Sequence, residues 1–138
     1  MYEQNETQQK WLESLIEKLG GIAGTVHMQR GDDLYLTAAH NIPPSVIAIV
    51  AQVPHGKGMA GVAQVKKAPV QTCNLQTDES GKIKPGARAV NAQSAIAAPV
   101  LNDAGEVLAV VGIAWNEEGE INPEEEQAIM KLSATLPL

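Results

Sequence analysis

Two apolar runs separated by a short polar segment constrain this chain more than any other feature. Residues 94–101 read S-A-I-A-A-P-V-L, residues 107–115 read V-L-A-V-V-G-I-A-W, and N-D-A-G-E between them favours a turn. The pattern predicts a β-hairpin of Ser94–Leu101 and Val107–Trp115. Because the runs are apolar throughout, both faces of the hairpin should be covered. Their many Ala and Gly residues leave room on one face for something other than protein.

Length and charge restrict the classes of protein to consider. The 138 residues suit a single domain, residues 1–138, with a buried core and no fused output domain. A net charge of −6 argues against nucleic-acid binding, which needs a basic surface. No apolar run reaches the ~20 residues that span a bilayer, and the first ten residues do not form a signal peptide. We therefore expect a soluble, cytoplasmic protein with no membrane partner, and its lone cysteine fits a reducing compartment.

Helix and strand signals follow one another along the rest of the chain. The i, i+3, i+4 spacing of apolar residues and the capping residue Asn5 predict a first helix. Residues 45–53 are ambiguous between helix and strand, and we choose helix because Pro44 suits a helix start. The predicted elements are a helix at Asn5–Leu19, strands at Ile22–Gln29 and Leu34–His40, helices at Ser45–Val53 and Ala60–Lys66, a strand at Ala68–Cys73, a long loop at Asn74–Val90, the hairpin, and a final helix from Pro123 to Pro137 with an apolar face of Ala128, Ile129, Leu132 and Leu136.

Five phrases occur in an order that resembles a known family. They are G-K-G-M-A-G-V-A at 56–63, A-P-V at 68–70, S-A-I-A-A-P-V at 94–100, G-E-V-L-A-V-V-G-I at 105–113 and N-P-E-E-E at 122–126. With the element order, they make residues 8–135 similar to a GAF domain. The resemblance implies an α+β fold with a GAF/PAS-like central antiparallel sheet of five to six strands. Terminal helices would cover one face, and short helices and loops would close a small-molecule pocket on the other.

The sequence departs from several ligand-specific branches of that family. Members that bind cyclic nucleotides carry a phenylalanine in their motif, and this chain has none. Bilin-binding members attach the chromophore at a cysteine, often next to histidine, whereas Cys73 is followed by Asn74. The free methionine-(R)-sulfoxide reductases use two or three cysteines, whose positions would fall near Ala60 and Arg88. The resemblance therefore implies a small-molecule-binding sensory or regulatory module for signal transduction, and the ligand and any cofactor stay unknown.

The candidate pocket lies on the sheet face away from the terminal helices, under the long loop. Arg88 stands in an otherwise uncharged run and could bind a carboxylate or phosphate, so that an anionic metabolite is favoured over a cation if a ligand binds there; a surface or salt-bridged arginine that holds the loop is the favoured alternative. Cys73 could face the pocket, although a small buried hydrophobe is favoured. The three histidines have no metal-ligand spacing. The candidate ligand-binding residues are Met59, Val62, Thr72, Cys73, Asn74, Arg88, Gln93 and Ser94.

We interpret the chain as non-enzymatic, with neither catalytic nor metal-ligating residues. The first alternative is a diverged sulfoxide reductase that relies on Cys73 alone. The second is a structural dimerisation module whose pocket is filled by side chains. Trp11 on the first helix and Met130 on the last extend the apolar surface of the terminal helices. This surplus predicts a homodimer through those helices.

Overall fold

A computed structural model, which describes residues 3–72, 93–116 and 121–138, shows an α+β fold built on one antiparallel sheet. The six strands pair in the order β3–β2–β1–β6–β5–β4. The predicted fold class and strand number are therefore confirmed. The described elements are α1 (Glu6–Leu19), β1 (Ala23–Arg30), β2 (Asp33–His40), α2 (Pro44–Val50), β3 (Gln52–Val53), α3 (Gly58–Lys66), β4 (Val70–Thr72), β5 (Ser94–Leu101), β6 (Val107–Trp115) and α4 (Pro123–Ser133).

Side-chain alternation gives the sheet two differently covered faces. Helices α1 and α4 pack on one of them, which we call the α1 face, and α2 and α3 pack on the other, the α3 face. The neighbouring β6 residues Val110 and Val111 illustrate the division, because Val111 joins the core under α1 and Val110 the core under α3. Terminal helices on one face and short helices on the other are the predicted arrangement. Both faces of the central hairpin are covered, as its continuous apolarity indicated.

Helix α1 begins and ends where the sequence predicts. The Asn5 side chain accepts a hydrogen bond from the Gln8 backbone at 3.0 Å, and Gly20 ends the helix in the left-handed conformation, with φ 69°. Gly24 on β1 lets the helix approach the sheet closely. A Cβ at this position would lie 2.9 Å from Ile16 Cδ1 and 2.8 Å from the carbonyl oxygen of Gly112. The glycine therefore sets the distance between α1 and the centre of the sheet.

Helix α3 packs on the opposite face against a second apolar core. Its residue Gly61 lies directly on the preceding turn, since a Cβ there would be 2.6 Å from the carbonyl carbon of Gly56. The buried side chain of Gln64 joins the same turn to the β1–β2 hairpin by donating to the carbonyl oxygen of Asp32 at 2.9 Å. The buried residues of this second core are Leu34, Val53, Ala63, Val70, Ala97, Val107 and Val110.

Two predicted elements need correction. The Ser45–Val53 helix stops at Val50, because Gln52 and Val53 pair with Tyr35 and Leu34 and extend the sheet. A two-residue edge strand lacks the length over which a periodicity can be recognised.

The last helix ends at Ser133, four residues before the proline that was expected to stop it. The backbone of Thr135 and Leu136 donates to Leu132 and Ser133 at 3.1 Å, and this tight turn directs Leu136 into the core. Ala128, assigned to the apolar face, is exposed. The end of the predicted Ala68–Cys73 strand and the predicted Asn74–Val90 loop lie outside the described residues.

None of the helices in the described ranges has the length and apolarity needed to cross a membrane.

Candidate functional site

Three half-buried positions with small side chains lie close together on the α3 face, and we call them the small-residue floor: Thr25, Ala95 and Gly112. Thr25 of β1 lies opposite Gly112 of β6, and Ala95 of β5 lies diagonally beyond it. Their face follows from their neighbours. Gly24, Val111 and Ile96 point towards α1, so the adjacent residues point the other way.

Gly112 creates a notch beside the Thr25 hydroxyl. A Cβ at position 112 would lie 2.9 Å from Thr25 Oγ1, with the next atom 3.9 Å away. No described residue forms a hydrogen bond with that hydroxyl. A threonine hydroxyl can both donate and accept, so it offers a polar contact at a place where the sheet carries little side-chain volume.

His27 lies two residues further along β1, on the same face of the sheet. It is only 4% exposed, and its Nε2 lies 2.9 Å from the carbonyl oxygen of Val50 at the end of α2. Since a carbonyl oxygen only accepts, Nε2 carries the proton and Nδ1 is left with a bare lone pair. Burial lowers the pKa of His27 from 6.5 to about 4, against a smaller opposing effect of the Val50 hydrogen bond, so the ring is neutral at neutral pH.

The lone pair on His27 Nδ1 is buried and has no hydrogen-bond partner among the described residues. Buried polar atoms are nearly always satisfied by protein, water or a ligand. His27 was interpreted from the sequence as an ordinary strand residue. Thr25 and His27 alternate with the apolar residues Val26 and Met28, so the sequence did carry a signal that they share a face, but the polar side of a strand is ordinarily interpreted as its solvent side.

The structure brings three of the predicted site residues to the α3 face. Met59 and Val62 are half-buried on α3 and pack against its core. Thr72 ends β4 and is buried opposite Ala95 of the small-residue floor. Thr72 therefore borders the small-residue floor at the edge of the sheet, and the assignment of these three residues to a ligand pocket stays a prediction.

The remaining predicted site residues divide into two groups. Ser94 alternates with Ala95 and shares the face of Ile96, so the structure places it on the α1 face and not with Met59 and Thr72. Gln93 is half-buried just before β5, and its backbone donates to Trp115 at 2.9 Å. Cys73, Asn74 and Arg88 lie outside the described residues.

A depression of about 340 Å³ lies between β4 and the start of α4, on the side of the sheet opposite the predicted pocket. Its lining includes the Gln71 amide, whose oxygen and nitrogen both form hydrogen bonds. Gln71 Oε1 accepts from the Ile121 backbone at 2.8 Å, and Nε2 donates to the Ile121 carbonyl and to Glu126 at 3.1 and 2.8 Å. These bonds tie β4 to α4, so the depression offers a ligand little unsatisfied chemistry. Within the described ranges, no group of three or more potential metal ligands comes together.

Comparison with known proteins identifies the class to which this fold and site belong. The family model for the GAF domain matches residues 3–136. The chain therefore belongs to the GAF domain family. No curated protein sequence matches it.

Solved structures with the same fold include two enzymes and a GAF domain of another protein. A type II free methionine-R-sulfoxide reductase from Thermoplasma acidophilum has a TM-score of 0.74 at 20% identity, over 95% of this chain and 89% of that one. A free methionine-R-sulfoxide reductase from Neisseria meningitidis, solved with its substrate, has a TM-score of 0.75 at 18% identity, over 94% and 72%. The GAF domain of a phosphoenolpyruvate-protein phosphotransferase from Coxiella burnetii has a TM-score of 0.74 at 18% identity, over 94% and 79%. At these identities the likeness shows the fold alone.

Proposed function

We propose that this GAF domain is a non-enzymatic, small-molecule-binding regulatory module whose ligand lies on the α3 face of the sheet. The observation that carries the proposal is the small-residue floor. Thr25, Ala95 and Gly112 stay half-buried while the neighbouring part of the same face is filled by α3 and its apolar core. Ligand pockets are usually formed before the ligand arrives and are mostly apolar with a few polar groups, as are Ala95 and Gly112 beside the Thr25 hydroxyl.

The burial of Ala97 and Ala95 shows which part of the α3 face is filled by side chains, as the alternative of a filled pocket requires. Ala97 is buried under α3 together with Ala63 and Val70, so that part of the face is packed with protein. Ala95 lies beyond this cluster and is less buried. The space for a ligand is therefore expected over Ala95 and Gly112 and not over Ala97.

Arg88 supplies the proposed charge selectivity. An arginine beside the floor would favour a carboxylate or phosphate through bidentate, charge-assisted hydrogen bonds. This assignment rests on the sequence position of Arg88. Its loss should weaken binding of an anionic ligand about tenfold to a hundredfold.

The rival function is reduction of methionine sulfoxide. It is suggested by the two reductases among the structures with this fold. The chain contains one cysteine, and an oxidised sulfur on Cys73 would need an external thiol to return it to the reduced state. We therefore propose that Cys73 has no catalytic role. Turnover of free methionine sulfoxide with dithiothreitol that disappears in Cys73→Ser would support the rival instead.

The binding proposal is tested by a thermal-shift screen of anionic and neutral metabolites. The wild type is compared with Ala95→Leu, which fills the floor, and with Ala128→Leu, which adds the same volume at an exposed position of α4. We expect hits that raise the melting temperature of the wild type and Ala128→Leu but not of Ala95→Leu. Equal stabilisation of all three proteins would place the ligand elsewhere, and an absence of hits would favour the structural module.

A further inference from the structure

We propose that the Gln9 side chain takes the place of a neighbouring strand on the free edge of β2, and that it keeps this edge from pairing with β2 of a second copy of the chain. Strand β2 runs from Asp33 to His40, and β3 pairs with its residues Leu34 and Tyr35. Past β3, the rest of β2 is therefore an edge among the described strands. Backbone groups on such an edge are a template for pairing with another chain.

The sequence of β2 makes this edge prone to strand pairing. Residues 34–39 read L-Y-L-T-A-A, without a charge, a proline or a glycine. Uncharged segments of about six residues with β-forming side chains are the ones that pair edge to edge when they are exposed. Two identical edges can pair antiparallel about a two-fold axis, so a second copy of β2 is the partner that fits.

The Gln9 amide offers Ala39 of β2 the two hydrogen bonds that a neighbouring strand would offer. Gln9 Oε1 accepts from the Ala39 backbone N–H at 3.0 Å, and Gln9 Nε2 donates to the Ala39 carbonyl oxygen at 2.8 Å. Two residues that exchange both bonds are the repeating unit of an antiparallel ladder. Nε2 also donates to Glu13 Oε2 at 2.9 Å, one turn further along α1, which holds the amide in this orientation.

Backbone groups cover the part of the edge between Gln9 and β3. The Asn5 N–H donates to the Thr37 carbonyl oxygen at 2.7 Å, and the Leu36 N–H donates to the Ala51 carbonyl oxygen at 3.0 Å. Thr37 also lies at an irregularity in the register between β1 and β2, and such bulges discourage further pairing. Since Asn5 and Ala51 contribute main-chain groups, Gln9 is the contact that a substitution removes.

The first test compares Gln9→Leu with the wild type by light scattering at high micromolar concentration. Leucine keeps the helix and the approximate volume but offers Ala39 no hydrogen bond. We expect Gln9→Leu to give about twice the wild-type mass, because two opened edges pair. Gln127→Leu, the same change at an exposed position of α4, should keep the wild-type mass.

The second test locates the opening by amide hydrogen exchange in dilute samples. The Ala39 amide should exchange about tenfold faster in Gln9→Leu than in the wild type, because its hydrogen bond to Gln9 is lost. The amide of Val111 on the central strand β6 should accelerate less. Equal acceleration at Ala39 and Val111 would show a general loss of stability and would overturn the proposal.

The third test identifies the paired surface. Adding Ala39→Pro to Gln9→Leu removes the N–H that a second strand would use, and proline is tolerated on a strand edge. The double variant, once circular dichroism shows that it is folded, should return to the wild-type mass. Mixed samples of ¹⁵N- and ¹³C-labelled Gln9→Leu should show intermolecular contacts between Thr37 and Ala39 of the two copies, a measurement that does not depend on the proline variant.

The proposal is overturned if Gln9→Leu keeps the wild-type mass, or if Gln127→Leu associates to the same extent. Association of Gln9→Leu that persists in a folded double variant, or whose intermolecular contacts lie away from β2, would also overturn it, since another surface would then be responsible.

Discussion

A single buried histidine gives this domain a specific dependence on pH. Burial lowers the pKa of His27 to about 4 from 6.5, so between these values the unfolded chain binds a proton that the folded chain does not. The contribution of neutral His27 to the free energy of unfolding is therefore fully present well above pH 6.5, and it is lost as the pH falls from 6.5 towards 4. The full loss corresponds to about 3 kcal/mol in the free energy of unfolding.

The prediction is checked by urea denaturation from pH 7 to pH 4.5. His27→Gln keeps a donor for the Val50 carbonyl and removes the titration, so its stability should fall less steeply than that of the wild type. His55→Gln, at an exposed histidine, is the matched control and should keep the wild-type slope. Equal slopes for the wild type and His27→Gln would show that His27 is not buried as described.

Two glycines on neighbouring strands should respond differently to the same added methyl group. At Gly24 a Cβ meets the Gly112 carbonyl and the Ile16 side chain of α1, whereas at Gly112 its one neighbour closer than 3.9 Å is the Thr25 hydroxyl oxygen at 2.9 Å. We expect Gly24→Ala to cost about 1–3 kcal/mol of unfolding free energy and Gly112→Ala less than 1. Thermal denaturation of both variants checks the order, and a larger loss for Gly112→Ala contradicts the close approach of α1 to β1.

At the level of elements, the predictable and the unpredictable parts of the fold have different physical causes. The hairpin strands Ser94–Leu101 and Val107–Trp115 and the end of α1 at Leu19 match their predictions. Apolar runs of eight or nine residues and a left-handed Gly20 are strong local signals. The end of α4 is set instead by the burial of Leu136, and β3 exists through pairing with β2, both non-local effects.

The candidate site was predictable as a region but not residue by residue. The resemblance, together with the Ala-rich strands and the long loop, predicted that Met59, Val62 and Thr72 lie on the face away from the terminal helices, and the structure places them on the α3 face. Because β5 and β6 are apolar on both sides, their sequences do not indicate which side chains share a face. That ambiguity explains why Ser94 was assigned to the pocket although it lies on the α1 face. Thr25 and His27 lie on the polar side of an alternating strand and were overlooked because such a side usually faces solvent.

Gly61 allows helix α3 to pack directly against the backbone of the preceding turn. A Cβ on Gly61 would lie 2.6 Å from a backbone carbon of Gly56, where no flexible side chain can move aside. Gly61→Ala should therefore displace the turn or the helix and cost about 1–3 kcal/mol of unfolding free energy. Val65→Ala, at a side chain that is 55% exposed on the same helix, is the control and should change stability by about 0.5 kcal/mol or less. Urea denaturation distinguishes the two, and equal losses would contradict the contact.

At the level of the whole molecule, the homodimer through the terminal helices stays a prediction. The structure shows that Trp11 and Met130 pack partly against the α1-face core, and the Trp11 indole donates to Thr135 at 3.0 Å. In the described part of the chain, the large apolar side chains with the greatest exposure are Ile49, Val65 and Leu138. Leu138, 73% exposed, is the one that follows a terminal helix.

Light scattering of three proteins at high micromolar concentration tests the dimer. We expect a dimer mass for the wild type, a monomer mass for Leu138→Asp, and a dimer mass for Ile49→Asp, since Ile49 lies on α2. A wild-type monomer would contradict the dimer. If only Ile49→Asp gave a monomer, the interface would lie on the side of the α3 face, which α2 and α3 cover.

The central claim, that a small molecule occupies the α3 face, is tested most directly by mapping amide chemical-shift changes on addition of a stabilising metabolite. The account predicts that the largest changes fall on the small-residue floor, at Thr25, Ala95 and Gly112, and on His27. The outer surfaces of α1 and α4 should stay silent, because the sheet and the α1-face core separate them from the ligand. Changes concentrated on α1 and α4, or in the depression beside Gln71, with the floor unaffected, would contradict it.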